Sequence, residues 1–165
     1  MIVTFYKDEY TYEYFKPRPW KLFIENYQEI NLKKRIRFLM SCLLGDYMFY
    51  MKDKDKKIIG YCLLEPRGWR YPFIDKNDVV ISPYVIKPEY RKKGFGTKLL
   101  KDITNYVEDA TKARIFAIVR INNTASLIAM KKAGYKVWGN VKISGMFRKY
   151  IKSDKNSVFV VYVSR

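Results

Sequence analysis

The stretch Val79-Val80-Ile81-Ser82-Pro83-Tyr84-Val85-Ile86, continuing as Lys87-Pro88-Glu89-Tyr90-Arg91-Lys92-Lys93-Gly94-Phe95-Gly96-Thr97-Lys98-Leu99-Leu100, decides how this chain folds. Its first eight residues give the strongest strand signal in the sequence, and only Pro83 interrupts them. Proline lacks the N–H that a ladder needs, so a bulge or an edge is predicted there. A basic turn with two glycines follows, and then Leu99, Leu100, Ile103, Tyr106 and Val107 recur on one face of a helix. The start of a helix leaves about four backbone N–H groups unpaired and carries roughly half a positive charge, which suits a phosphate. Gly94 and Gly96 let the backbone come close, Arg91, Lys92 and Lys93 add formal charge, and a Cβ at either glycine is expected to crowd a pyrophosphate. Neither Gly-x-x-x-x-Gly-Lys-Ser/Thr nor a three-glycine dinucleotide fingerprint is present. Tight strand-to-helix packing would use two glycines as well.

Outward from this unit, Ile2 to Tyr6 reads as a first strand, and Tyr10 to about Asp46 as helical, broken at Pro17 and Pro19. Asn31 caps its second piece, where Leu32, Ile36, Leu39, Met40 and Leu43 keep helical spacing up to Gly45. Tyr47 to Met51 and Lys57 to Leu64 form a hairpin around the charged turn 52–56. Residues 65–77 are a loop dense in Arg67, Trp69, Arg70, Tyr71 and Phe73. Arg114 to Ile121 is a buried strand, and Asn123 to Lys132 a short helix closed by Gly134. Tyr135 to Trp138 and Ser157 to Val163 are the last strands, with further strand inside 139–154. The order predicts one α/β domain over residues 1–165, a mixed sheet of about six to seven strands flanked by helices.

Composition narrows the chemistry. The 165 residues, 48% of them hydrophobic, are enough for a core that buries roughly 70% of the unfolded surface. Histidine is absent, which removes imidazole catalysis and His-ligated zinc, and no metal site is expected. Cys42 and Cys62 have no second pair and are read as reduced core thiols. No apolar run approaches the roughly 18 residues of a membrane span and no signal peptide is seen, so a cytoplasmic protein is expected. The 33 Lys+Arg against 16 Asp+Glu give a net charge of +17, which points to anionic partners or to a solvated lysine surface.

The segment Tyr84 to Gly96 resembles the acetyl-CoA-binding motif of the GNAT superfamily of N-acetyltransferases, Arg/Gln-x-x-Gly-x-Gly/Ala after an apolar strand and a proline. Asn123-Thr124-Ala125-Ser126 with Lys132-Ala133-Gly134-Tyr135 resembles that superfamily's second motif, in the right order. The resemblance implies an enzyme that moves an acetyl group from acetyl-CoA to a primary amine by direct attack in a ternary complex. It also implies that Val85 and Ile86 pair with the pantetheine arm, and that the backbone from Arg91 through Lys92, Lys93, Gly94, Phe95 and Gly96 to Thr97 holds the pyrophosphate. Asn123 and Ser126 would lie along the donor, with N-capping as a second role for Asn123.

Two positions depart from the superfamily's pattern. Many members carry a tyrosine acid where this chain has Met130, and a carboxylate base where it has Ser82. Tyr84, placed by alternation on one face with Ser82 and Ile86, is the candidate acid, or else a core aromatic. Glu65 is the candidate base through a water, or else a loop carboxylate. Arg67 and Arg70 are the candidate acceptor-binding residues, because guanidinium grips phosphate in pairs, and Tyr12 to Trp20 are expected to face the same cleft. A nucleotide-linked amino sugar or another anionic small amine ranks first as acceptor, a protein N-terminus or lysine second, and a polyamine last. A nucleic-acid-binding module and an acetyl-CoA-binding protein without catalysis are the competing classes.

Overall fold

The computed structural model describes residues 2–18, 36, 39, 40, 42–145, 148–153 and 157–164. Its strands are β1 (Ile2–Lys7), β2 (Tyr10–Phe15), β3 (Tyr47–Lys52), β4 (Ile58–Pro66), β5 (Val79–Ile86), β6 (Ile115–Arg120), β7 (Lys136–Ser144), β8 (Lys149–Lys152) and β9 (Phe159–Val163). Helix α1 (Phe95–Thr111) follows β5, and α2 (Thr124–Lys132) follows β6. The strands form one sheet in the order β1-β2-β3-β4-β5-β6-β9-β7-β8. Only β5 and β6 run parallel. This is the predicted α/β architecture with nine strands in place of six or seven.

Part of the surplus comes from Tyr10–Phe15, which the sequence reading assigns to a helix. Tyr10, Tyr12 and Tyr14 recur every second residue and all pack toward the core with α1, and that period belongs to a strand. Asp8, at φ 55°, turns the chain between β1 and β2. Tyr12 is therefore core and does not face a cleft. Trp20, Asn31 and most of the helix predicted from Asn31 lie outside the described residues, while residues 42–44 are helical.

One face of the sheet holds α1, whose Leu99, Leu100, Ile103 and Val107 are buried against Tyr12, Phe49, Ile59, Ile81 and Ile115. Phe5 stacks between Tyr12 and Tyr106 at ring distances of 5.0 and 4.8 Å. Across the sheet, Phe116, Val141, Phe159 and Val161 are covered by Tyr71 and Ile74 from the 65–77 loop. Phe73 of that loop stacks on Trp138 at 4.9 Å.

Asp102 is a buried carboxylate on α1. It accepts the Tyr12 hydroxyl proton and pairs with Lys7 at 2.7 Å and Lys98 at 3.4 Å, tying the first hairpin to the helix. Asp102→Ala leaves the Tyr12 hydroxyl without its acceptor in a closed core, so a loss of about 1–3 kcal/mol is expected. Urea unfolding of the variant beside wild type measures it, and an unchanged midpoint would mean the network is ornamental to stability.

Candidate functional site

β5 and β6 pair only through Val79–Ile115, Val80–Phe116 and Ile81–Ala117. Beyond those three pairs the strands diverge, and a cleft of about 320 Å³ opens between them. Pro83 sits at the start of the divergence. The β4–β5 register slips there, with Leu64 opposite Ile81 but Cys62 opposite Tyr84, which is the predicted bulge. The slip reverses the alternation: Val79 and Ile81 pack toward α1, and so do Tyr84 and Ile86. Alternation therefore cannot be carried from Ser82 to Tyr84, although both side chains line the cleft.

The open edge of β5 has usable backbone. Lys87 N–H donates to Ile59 O on β4, so the Ile86 N–H, one residue earlier, projects to the opposite, unpartnered edge. Ile86 O projects there too and accepts from Arg91 Nε at 3.0 Å. The turn then runs through a 3₁₀ segment, Pro88–Tyr90, with Lys92 at φ 61° and Gly94 at φ 83°. Gly94 is the residue before α1, in the left-handed region that favours glycine, and no side chain caps the helix. None of the backbone N–H groups from Lys92 to Thr97 donates to another described backbone group. Arg91, Lys92 and Lys93 are exposed around them, while Phe95 is wedged against Tyr10 and Tyr90. A run of unpaired amides beside an open strand edge fits a pyrophosphate with an extended arm attached.

Along the other wall, Asn123 Oδ1 accepts from Ser126 N–H at 3.2 Å, the capping role. Both residues line the cleft, and Met130 is buried at its wall. Tyr135 is packed, its hydroxyl 2.6 Å from Thr104 Oγ1.

The remaining candidates fall elsewhere. Glu65 is buried at the end of β4, where its Oε2 accepts from Tyr71 Oη at 2.5 Å and pairs with Arg70 Nη1 at 3.3 Å. It does not line the cleft, so its carboxylate anchors the loop and is not placed to serve as base. Arg70 is held by Glu65 and lies over the rings of Tyr71 and Tyr150, and neither it nor the exposed Arg67 lines the cleft. Neither occupies the acceptor position expected of it. The cations that line the cleft are Arg120, at the end of β6, and Arg148, in the β7–β8 turn. Sequence reasoning missed both; the nearby Asn123 motif was the available signal for Arg120. Cys62 is buried and Cys42 half-buried, and burial pushes both thiols up, which removes them as nucleophiles.

Gly96 is required by close approach. A Cβ there would run into the Tyr84 hydroxyl, so the first obstacle is protein and not the expected pyrophosphate, while a Cβ on Gly94 would meet nothing within 4 Å. Gly96→Ala should cost roughly 1–3 kcal/mol by overpacking. Adding Tyr84→Phe removes the obstructing oxygen and should return more than half of the loss. Unfolding of the four-member double-mutant cycle checks this, and simple additivity would contradict the contact.

The model for the acetyltransferase (GNAT) family matches residues 2–135. No curated protein matches the chain by sequence. Among solved structures, the chain is similar to ribosomal-protein-S5-alanine acetyltransferase from Vibrio fischeri, with 17% identity and a TM-score of 0.64 over 98% of this chain and 95% of that one. Spermidine N-acetyltransferase from Vibrio cholerae in complex with CoA and spermine follows at 15% identity and a TM-score of 0.57, over 82% and 76%. Nourseothricin acetyltransferase matches at 15% and 0.51, over 72% and 64%. At these identities the structures speak for the fold, and the match over residues 2–135 speaks for the family. With the two motifs now lying on either side of one cleft, the chain belongs to the GNAT family of N-acetyltransferases, whose acetyl donor is acetyl-CoA.

Proposed function

We propose that this enzyme acetylates a primary amine on an anionic small molecule, by direct attack within a ternary complex in the cytoplasm. The carrying observation is the cleft itself, which passes between diverging strands and is lined by two arginines and by no carboxylate among the described residues. A nucleotide-linked amino sugar suits such a lining, a protein N-terminus or lysine suits it less, and a polyamine least, because its cations would meet uncompensated guanidinium.

Acetyl-CoA supplies the acyl group: the acceptor nitrogen forms the C–N bond, the C–S bond breaks, one proton leaves nitrogen and one reaches sulfur. The chain's contribution is chiefly position and polarisation. The unpaired amides from Lys92 to Thr97 hold the pyrophosphate, the open edge of β5 at Ile86 aligns the arm while Val85 pairs with Tyr61 on β4, and Asn123 and Ser126 fix its other side. The Ile86 N–H on that edge polarises the acyl oxygen. Holding both reactants in this geometry supplies roughly 7–11 kcal/mol of the barrier. Guanidinium groups beside the amine disfavour its ammonium form, which favours the nucleophile without a dedicated base.

Tyr84 donates the proton that the sulfur requires. It lines the cleft, and burial pushes its phenol up from the ordinary value of 10.0, so it still holds its proton at the pH where an amine begins to lose one. The pH profile of kcat/KM should therefore rise with deprotonation of the amine and then hold level to at least pH 10.0. Tyr84→Phe should lower kcat by about a hundredfold while leaving the affinity for acetyl-CoA near wild type. Free-thiol release across a pH series measures both. A descending limb below pH 10.0, or full activity in Tyr84→Phe, would remove Tyr84 from the chemistry.

A further inference from the structure

The cleft crosses the sheet, and its two mouths differ in chemistry. Tyr84 and Met130, on the α1 side, belong to the same core cluster as the helices. Ile118, Tyr150 and Phe159 belong to the cluster on the opposite face. Arg120 follows Ile118 by two residues on β6 and lies over the Phe159 ring at 5.8 Å, so it shares that opposite face. Arg148, in the β7–β8 turn two residues before Tyr150 of that cluster, also lines the cleft. With the donor's amides and strand edge on the α1 side, the mouth carrying the two arginines is left for the acceptor.

The condition of these guanidinium groups separates them from Arg70, Arg91 and Arg114, and their place in the cleft lining separates them from Arg67. Arg70 is engaged by Glu65, Arg91 by Ile86 O, and Arg114 by Asp75 and Asp78. Arg120 and Arg148 are exposed, and neither makes an ion pair or side-chain hydrogen bond with a described residue. Arg148 holds φ 55°, the left-handed region that Lys56, Lys92 and Lys112 also adopt and in which glycine is the less strained choice. Its unbound side chain lines the cleft together with that of Arg120, and two unpaired guanidinium groups at one cleft point to an anionic ligand.

We propose that Arg120 and Arg148 together form the subsite that reads the acceptor's anionic group, a carboxylate or a phosphate, on the face of the sheet opposite the acetyl donor. This rests on the acetyltransferase reading above and gives its substrate class a location. Arg67 and Arg70, the pair that sequence reasoning chose, have no part in it.

The test uses the protein saturated with CoA, so that the phosphate-binding turn is already filled. It is titrated with glucosamine and glucosamine 6-phosphate, with glycine and glycinamide, and with spermidine. In one pair or the other the anionic member should bind at least about tenfold more tightly, the lower end for a charge-assisted contact, and which pair responds tells phosphate from carboxylate. The preference should fall about tenfold in Arg120→Ala and in Arg148→Gly, with the affinity for CoA within about twofold of wild type. Arg148→Gly also carries an internal control. Glycine relaxes the left-handed backbone, so the variant should unfold at the same or a higher temperature while its anion preference is lost. Equal binding within both pairs, a preference unchanged in both variants, or spermidine as the tightest ligand would overturn the subsite. Failure of the wild-type protein to bind CoA would instead strike the acetyltransferase reading, and the same titrations of the free protein and its variants would still decide the arginines.

Discussion

After three paired residues, β5 parts from β6, and the remaining features of the site follow from that parting. The bulge at Pro83 bends β5 and shifts its alternation by one, so that Tyr84 and Ile86 return to the helix side while the backbone edge toward β6 stays open. A closed sheet would have buried that edge in a ladder. Instead it leaves amide and carbonyl groups facing a cleft, and native proteins leave such groups unpaired only where water or a ligand meets them. The same divergence gives the cleft two mouths. Donor and acceptor can then approach one point from opposite faces of a single sheet.

Electrostatics follow the same division. On the donor side the positive character comes from backbone, the N-terminus of α1 with the amides of the Lys92–Gly94 turn, and from the exposed side chains of Arg91, Lys92 and Lys93 around it. Across the sheet it comes from the side chains of Arg120 and Arg148. Carboxylates are plentiful nearby but committed: Glu65 to Tyr71 and Arg70, Asp102 to Tyr12 and Lys7, Asp78 to Arg114. Each ties a loop or hairpin to the frame and keeps negative charge away from the cleft. The net charge of +17 thus includes a few groups at the cleft and many lysines elsewhere on the surface.

Local signals in the sequence carried the strands and helices on which the proposed donor site stands. Strand, basic glycine turn and helix are contiguous from Val79 to Leu100, and Asn123 and Gly134 bracket the one short helix that carries Ser126, so pattern and structure coincide. The acceptor half depends on which distant elements become neighbours. Glu65 reads as a base and Arg70 as an acceptor-binding residue when both are taken as charged groups near a cofactor strand. In the folded chain they pair with each other, five positions apart, at the start of the 65–77 loop. Arg148 is separated from Arg120 by a helix and a strand, and only the β7–β8 edge hairpin brings it back to the cleft. Tyr10–Phe15 shows a different limit: the long window from Tyr10 to Asp46 reads as helical, but its first six residues alternate and form a strand. Gly96 reads from the sequence as room for a pyrophosphate or for tight strand-to-helix packing, and the nearest atom that a Cβ there would meet is the hydroxyl oxygen of Tyr84, across the turn.

The central claim is that the open edge of β5 and the amides after it receive acetyl-CoA. Amide hydrogen exchange resolved by residue, with and without acetyl-CoA, addresses it directly. The account predicts slowed exchange at Ile86 and from Lys92 to Thr97 on binding, with the paired amides of β3 and β4 little changed. Binding that protects another surface, or no binding by the folded protein, would contradict it.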